Sequence, residues 1–170
     1  MTAITVSTAT HDDIGSLVAS VAALFREDAG RHDFLRDLGW PAREGAAYYS
    51  ALVNDEACLV TLARDGGHVT GHLIGKLSGP DSMLPGRIAV LESMRVAPGS
   101  RRTGAGSLLV RHFLTWARDC GAQQASVTAY AANDAAQRLY ARHGFEPASI
   151  TLRAHPLTHQ PLSLAGHTIR

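Results

Sequence analysis

The sequence offers little from which to build a covalent or metal-braced scaffold. Of its 170 residues only two are cysteines. Cys58 and Cys120 lie far apart in no CxxC arrangement, which argues against a disulfide framework and against a zinc site. Charge of one sign is also missing. The formal net charge is +1, so neither nucleic acid nor an anionic membrane is expected as the main partner. No apolar run approaches the ~20 residues of a membrane span. The N-terminal MTAITVSTATHDD has no basic segment followed by an apolar one, so no signal peptide is expected. These absences point to a reducing cytoplasm as the location. No HExxH, GxSxG or Cys–His spacing occurs. His68 and His72 share a face of an expected strand but stand ~13 Å apart at strand rise, too far for one ion, and no metal is expected. Lysine is almost absent, Lys76 being the only one, and nothing functional follows from that.

What remains is an ordinary globular composition, 45% hydrophobic and 18% charged, in a length that suits one domain. Ala3–Ser7 reads as a first strand. Thr10 or Asp12 can cap a helix whose Ile14, Leu17, Val18, Val21, Leu24 and Phe25 share a face. Asp33–Trp40 is a mixed connection with room for a short second helix, and Pro41 opens another that carries Tyr48, Tyr49, Leu52 and Val53. Ala57–Ala63 and His68–Leu77 form a hairpin around Asp65-Gly66-Gly67, with Gly71 and Gly75 marking a bulge or a close backbone approach. Arg87–Val96 is the longest strand candidate. A helix follows from about Gly104 to Cys120, with Leu108, Leu109, Phe113 and Trp116 inward and Gly121 as its C-cap. Ala125–Tyr130 reads as a strand, Asn133–His143 as a helix ended by Gly144, and Phe145–Leu152 as a closing strand broken by Pro147. The expected fold is α/β, a mixed sheet with helices on both faces in the order β-α-α-β-β-β-α-β-α-β over residues 1–153. Residues 154–170 read as a tail that wraps the domain, pairs with another chain or stays loose.

The chemistry concentrates around Arg101-Arg102-Thr103-Gly104-Ala105-Gly106, between a strand and a helix. The first N–H groups of a helix lack internal acceptors and the dipole there favours anions. Glycines let the backbone bend around a phosphate. The same glycine pair can also be a plain cap. Gly99-x4-Gly104 has P-loop spacing, but Ala105 stands where the lysine is required. Gly104-x-Gly106 has Leu109 at the third glycine of a dinucleotide fingerprint and follows four expected strands, which leaves that reading weak.

Val96-Ala97-Pro98, then Arg101-x-x-Gly104-x-Gly106 and Leu108-Leu109, resembles the strand, Q/R-x-x-G-x-G/A and helix signature of the GCN5-related N-acetyltransferases. Asn133, Ala136, Leu139-Tyr140 and Gly144-Phe145 resemble that family's second signature, N-x-x-A-x-x-L-Y-x-x-x-G-F. The two occur in the right order, and the element order agrees from Ala3 to about Leu152. The resemblance implies a GNAT-like fold and an acetyl-CoA-dependent N-acetyltransferase acting on a small amine through a ternary complex. It implies that the amides of Arg102, Thr103, Gly104, Ala105, Gly106 and Ser107 hold the pyrophosphate of acetyl-CoA. It also implies that two strands splay, so that Met94, Arg95 and Val96, opposite Ser126–Thr128, offer an open edge to the pantetheine.

Within that frame Tyr140 is the candidate general acid for the leaving thiolate, or else packs beneath the cofactor. The Met94 amide is the oxyanion donor. Glu92 is the candidate base, directly or through a water. Alternation along a strand would point it the same way as Met94 and Val96; the other reading is an ion pair with Arg87 or a structural hydrogen bond. Asn133 caps its helix and, with Ala136, lies where the family contacts the cofactor. Arg101 and Arg102 can meet its phosphates, although Arg101 can equally be a surface charge; Tyr130 more simply packs in the core. The acceptor site would involve about Ala29–Tyr49 and part of Ile150–Leu162, where Asp33, Asp37, Glu44, Phe34, Trp40, Tyr48 and Tyr49 could suit a cationic amine. Alternatives are a non-catalytic acyl-CoA-binding module, or an enzyme acting on a protein N-terminus or aminoacyl-tRNA. The last is disfavoured by the neutral charge. A homodimer is compatible with the fold.

Overall fold

The computed structural model describes residues 3–153 apart from position 84. Five strands form one sheet in sequence order: β1 (Thr5–Thr8), β2 (Cys58–Asp65), β3 (His68–Ser78), β4 (Ile88–Val96) and β5 (Gln124–Val127). The first four pair antiparallel and β5 joins β4 in parallel. The parallel step needs a crossover, and the helix α4 (Ala105–Asp119) supplies it. The other helices are α1 (Ile14–Leu24), the single turn α2 (Gly30–His32), α3 (Trp40–Val53) and α5 (Asp134–Ala141). A five-residue π-helical stretch, Phe25–Ala29, continues α1.

Helices cover both faces, as the hydrophobic periods require. On one face Ala105, Leu109, Phe113 and Ala117 of α4 recur every four residues and bury against Leu59, Ala63, Leu73, Ala89 and Leu91 of the sheet. The contact is close: a Cβ on Gly75 would stand 2.8 Å from the Phe113 ring. On the other face Leu17 and Val21 of α1 and Tyr49 and Leu52 of α3 meet Val60, Leu62 and Ile74. The hairpin turn is Gly66-Gly67, both at positive φ, as a two-residue I′ turn demands. Gly121, also at positive φ, ends α4, with the Ala122 N–H donating to the Ala117 carbonyl at 2.9 Å.

Three expectations change. The short second helix falls at Gly30–His32, ahead of the Asp33–Trp40 connection, because α1 runs on through its π-helical stretch. Phe145–Leu152 is no strand. Phe145 reaches the core and donates its N–H to the Tyr140 carbonyl at 3.2 Å, whereas Ile150 and Leu152 are exposed. Pro147 there has no N–H to give a ladder. Finally, β5 ends at Val127, short of Tyr130, because its partner strand departs. The tail from residue 154 lies outside the described residues.

Candidate active site

The site begins with a two-for-one step in β4. Ile74 pairs with Ser93 but Gly75 pairs with Leu91, so Glu92 is an extra residue. Such a bulge resets the alternation of faces. Leu91, Met94 and Val96 all pack toward α4, although Leu91 and Met94 are three apart. The expectation that Glu92 shares the face of Met94 and Val96 therefore fails. Glu92 and Ser93 lie on the α1/α3 side, where the Glu92 charge helps raise the pKa values of Tyr49 and Cys58. Glu92 is exposed, and among the described residues it has neither an ion pair nor a hydrogen bond; Arg87 instead donates to the Cys120 carbonyl at 2.8 Å.

At the same point the sheet opens. β4 pairs with β5 from Ile88↔Gln124 to Leu91↔Val127 and no further. Ser126 is therefore still paired, with Val90, and only Thr128 onward faces the opening. The Ala97 N–H donates to the Thr70 carbonyl at 2.8 Å. Alternation along an antiparallel ladder then assigns the main-chain groups of Ser93 and Arg95 to β3 and turns those of Met94 and Val96 outward, toward the gap. The Val96 carbonyl confirms the direction by accepting from Arg101 Nε at 3.0 Å. Arg95 spends its side chain elsewhere: its guanidinium grips Glu27 of the π-helical stretch at 2.6 and 3.1 Å.

Beside the gap stands the N-terminus of α4. Arg102 and Gly104 adopt positive φ, 64° and 94°, which curls consecutive N–H groups into a concave nest. The Thr103 hydroxyl tightens the turn by donating to the Ser100 carbonyl at 2.7 Å. No side chain caps the helix, and the first helical bond is from the Leu108 N–H to the Gly104 carbonyl. The N–H groups of Ala105, Gly106 and Ser107 are thus left without a helical acceptor. A diphosphate fits this donor set. Gly106 permits close packing behind it: a Cβ there would stand 3.3 Å from Leu139 and 3.4 Å from Met94. Arg102 is exposed at the rim, whereas Arg101 donates to Glu27 at 2.7 Å as well as to Val96.

The far wall comes from α5. Asn133 caps it, its Oδ1 accepting from the Ala136 N–H at 3.1 Å, and Asn133 Nδ2 reaches Asp28 at 3.4 Å. Tyr140 packs against Phe145, and its hydroxyl lies 3.9 Å from the Met94 sulfur. Burial, then the Asp28 charge, push its phenol up to about 12. His32 lies tilted against the Tyr130 ring, centroids 5.1 Å apart, and 3.9 Å from Asp28. The π-helical stretch thus sends Glu27 to β4 and Asp28 toward α5. Sequence reading missed both; the one signal was an acidic pair directly after an apolar helical face.

On the acceptor side Phe25, Trp40, Tyr48 and Tyr49 form a ring cluster with neighbouring centroids 5.2–6.3 Å apart. Asp33 is engaged by Arg36 and Arg153, and Asp37 by Arg43. Residues 154–162 lie outside the described residues. Cys58, its thiol pushed up to about 11 by burial and then by Asp55, is no nucleophile at neutral pH. Among the described residues no group of His, Cys, Asp and Glu is placed to hold a metal ion, and no helix is long and apolar enough to cross a membrane.

A mixed sheet whose two parallel strands part beside an uncapped, nested helix N-terminus defines a class of acyl-transfer folds. Residues 18–145 match the Acetyltransferase (GNAT) family, and the chain belongs to it; by family it is an acetyl-CoA-dependent N-acetyltransferase. Solved structures of similar fold include a transcriptional regulator from Bacillus halodurans C-125, 22% identical with a TM-score of 0.73 over 90% of this chain and 99% of that one. Another is the aminoglycoside N-acetyltransferase AAC(6')-Iy bound to a CoA bisubstrate analog, 15% identical with a TM-score of 0.70 over 89% and 97%. A third is a ribosomal-protein-alanine N-acetyltransferase from Brucella melitensis biovar Abortus 2308, 16% identical with a TM-score of 0.63 over 89% and 100%. No curated protein sequence matches this one.

Proposed function

We propose that the protein moves an acetyl group from acetyl-CoA to a primary amine on a small molecule, by direct attack within a ternary complex. The observation that carries this reading is the coincidence of three features at one place: the end of β4–β5 pairing at Leu91/Val127, the outward main chain of Met94 and Val96, and the free amides of Ala105–Ser107. The first two present an edge for an amide-bearing arm, and the third a seat for its diphosphate.

The amine nitrogen bonds to the thioester carbon and gives up a proton. The C–S bond breaks, and the sulfur leaves with the electron pair and takes up a proton. Glu92, exposed and without a partner among the described residues, first takes the extra proton of the incoming ammonium, directly or through a water, so that a neutral amine attacks. The Met94 N–H faces the developing oxyanion. Tyr140 serves the sulfur. A phenol held at about 12 keeps its proton against a thiol of pKa ~8.5, so it acts by donating a hydrogen bond while the proton itself arrives from the newly formed ammonium.

The bulge gives the division of labour a physical basis. It sends Glu92 to the face where the Trp40–Tyr48–Tyr49 rings gather and leaves Met94 on the face of Tyr140 and Gly106. Acceptor and thioester would then meet across one strand. The first amines to test are aminoglycosides and small polyamines, since aminoglycoside acetyltransferases are among the similar structures, followed by an N-terminal alanine peptide. Calorimetry with coenzyme A, and thiol release from acetyl-CoA across that panel, provide the test. Binding with amine-dependent release is expected. Absence of coenzyme A binding ends the reading; binding without release from any amine leaves a non-catalytic acyl-CoA module.

A further inference from the structure

His72 has no place in the chemistry above, yet among the described residues it is the only buried histidine, with no exposed surface, in the middle of the apolar strand β3. Both ring nitrogens are engaged. Nδ1 is 2.7 Å from the Ser20 hydroxyl of α1, and Nε2 is 2.9 Å from the Ser93 hydroxyl of β4. Burial, then the nearby Arg95, hold its pKa down to about 3, so the ring is neutral. A neutral imidazole needs one acceptor and one donor, and two hydroxyls supply these in either tautomer.

An apolar residue would fill this space without the cost of desolvating two nitrogens. What an imidazole adds is direction. Ser93 is one of the two residues that oppose Ile74 in the bulge. A bulge interrupts the ladder and so loses part of the register that fixes a strand. His72 replaces it with a side-chain tether anchored on α1. The next outward-facing residue, Met94, is followed by Arg95, which the Glu27 carboxylate holds from the same helical run. The segment Glu92–Arg95 is therefore tied to α1 on both sides of Met94.

We infer that His72 is a positioning residue for acetyl transfer: through the Ser93 hydroxyl it fixes the bulge that sets Glu92 and Met94 on opposite faces of β4. The inference deepens the proposed function and rests on it for its kinetic consequence.

The test compares Ser93→Ala, His72→Gln and His72→Leu with Val60→Ala, a core truncation in β2 at a residue that pairs with Ile74 but takes no part in the Ser20–His72–Ser93 hydrogen bonds. Ser93→Ala is expected to lower kcat by about tenfold or more while the acetyl-CoA Kd stays within about twofold, the mark of lost alignment rather than lost binding. It should also speed hydrogen exchange at the Ser93 and Arg95 amides. His72→Gln keeps a polar end within reach of Ser93 and should retain more kcat than His72→Leu. Val60→Ala should lower Tm and move neither readout. If Ser93→Ala lowers Tm as Val60→Ala does but leaves kcat and amide exchange at wild-type values, His72 only fills the core and the inference is overturned. Exchange needs no substrate. A wild-type protein that releases no thiol with any amine removes the proposed function, while unchanged exchange in Ser93→Ala removes the tether.

Discussion

The two halves of β4 obey different rules. Ile88–Leu91 is paired on both edges, and its Ala89 and Leu91 are buried against α4. Glu92–Val96 is paired on one edge only, carries the bulge, and mixes a carboxylate, a hydroxyl and a guanidinium into a strand. The first half is what a sheet does to satisfy backbone and bury apolar surface. The second withholds backbone groups from pairing and holds its shape by side-chain contacts to α1 instead. Strand edges left open in this way invite pairing with anything extended, and here the invitation is confined to a few residues beside the uncapped N-terminus of α4. Stability and chemistry are thus separated along a single strand.

That contrast can be attacked from either end. The largest effect should come from the packed half. Phe113→Ala, which empties the contact between α4 and Gly75, is expected to cost about 3–5 kcal/mol of unfolding free energy in denaturant melts of purified protein. A loss below 1 kcal/mol would mean that the α4 face is not the main source of stability.

Next is an effect of pH through His72. Its folded-state pKa, about 3, lies below the ordinary 6.5, so the unfolded chain binds the extra proton. Stability is full above pH 6.5 and falls as pH drops from 6.5 toward 3. The slope is about 1.4 kcal/mol per pH unit for one group. His72→Gln should remove that share of the slope. Identical acid melts for the two proteins would show that His72 titrates normally.

In the open half, Tyr140→Phe is expected to cut kcat about 100-fold with coenzyme A affinity retained, by steady-state kinetics and calorimetry. Retained turnover would reduce Tyr140 to packing. The smallest effect should be that of Glu92→Gln, about tenfold in kcat/KM for the amine. If Glu92→Gln instead weakened coenzyme A binding as its main effect, the two faces of the bulge would not be divided between acceptor and thioester.

How much of this was legible beforehand follows the same division. The α4 stripe, the Gly66-Gly67 turn and the Asn133 cap were readable because each depends on a local period or a local dihedral requirement. The Arg101–Gly106 turn was readable for the same reason: a positive φ at Gly104 and unused helix amides are local facts. Glu92 was found by its type but misplaced by its face, because strict alternation holds only in an unbroken ladder and a bulge leaves no fixed mark in a sequence. Glu27, Asp28 and the Ser20–His72–Ser93 chain were not found. Their partners lie 21 to 105 residues away, and no spacing rule spans such distances.

The sequence by itself determined most of the helices and strands, which faces are apolar, and where unused helix amides gather, since these are matters of side-chain period and backbone freedom over a few neighbouring residues. Only the tertiary structure decided where β4 leaves β5, which way Glu92 turns, and what holds the bulge. Those outcomes depend on pairing register and buried hydrogen bonds between elements remote in the chain, and such contacts exist only once the sheet has closed.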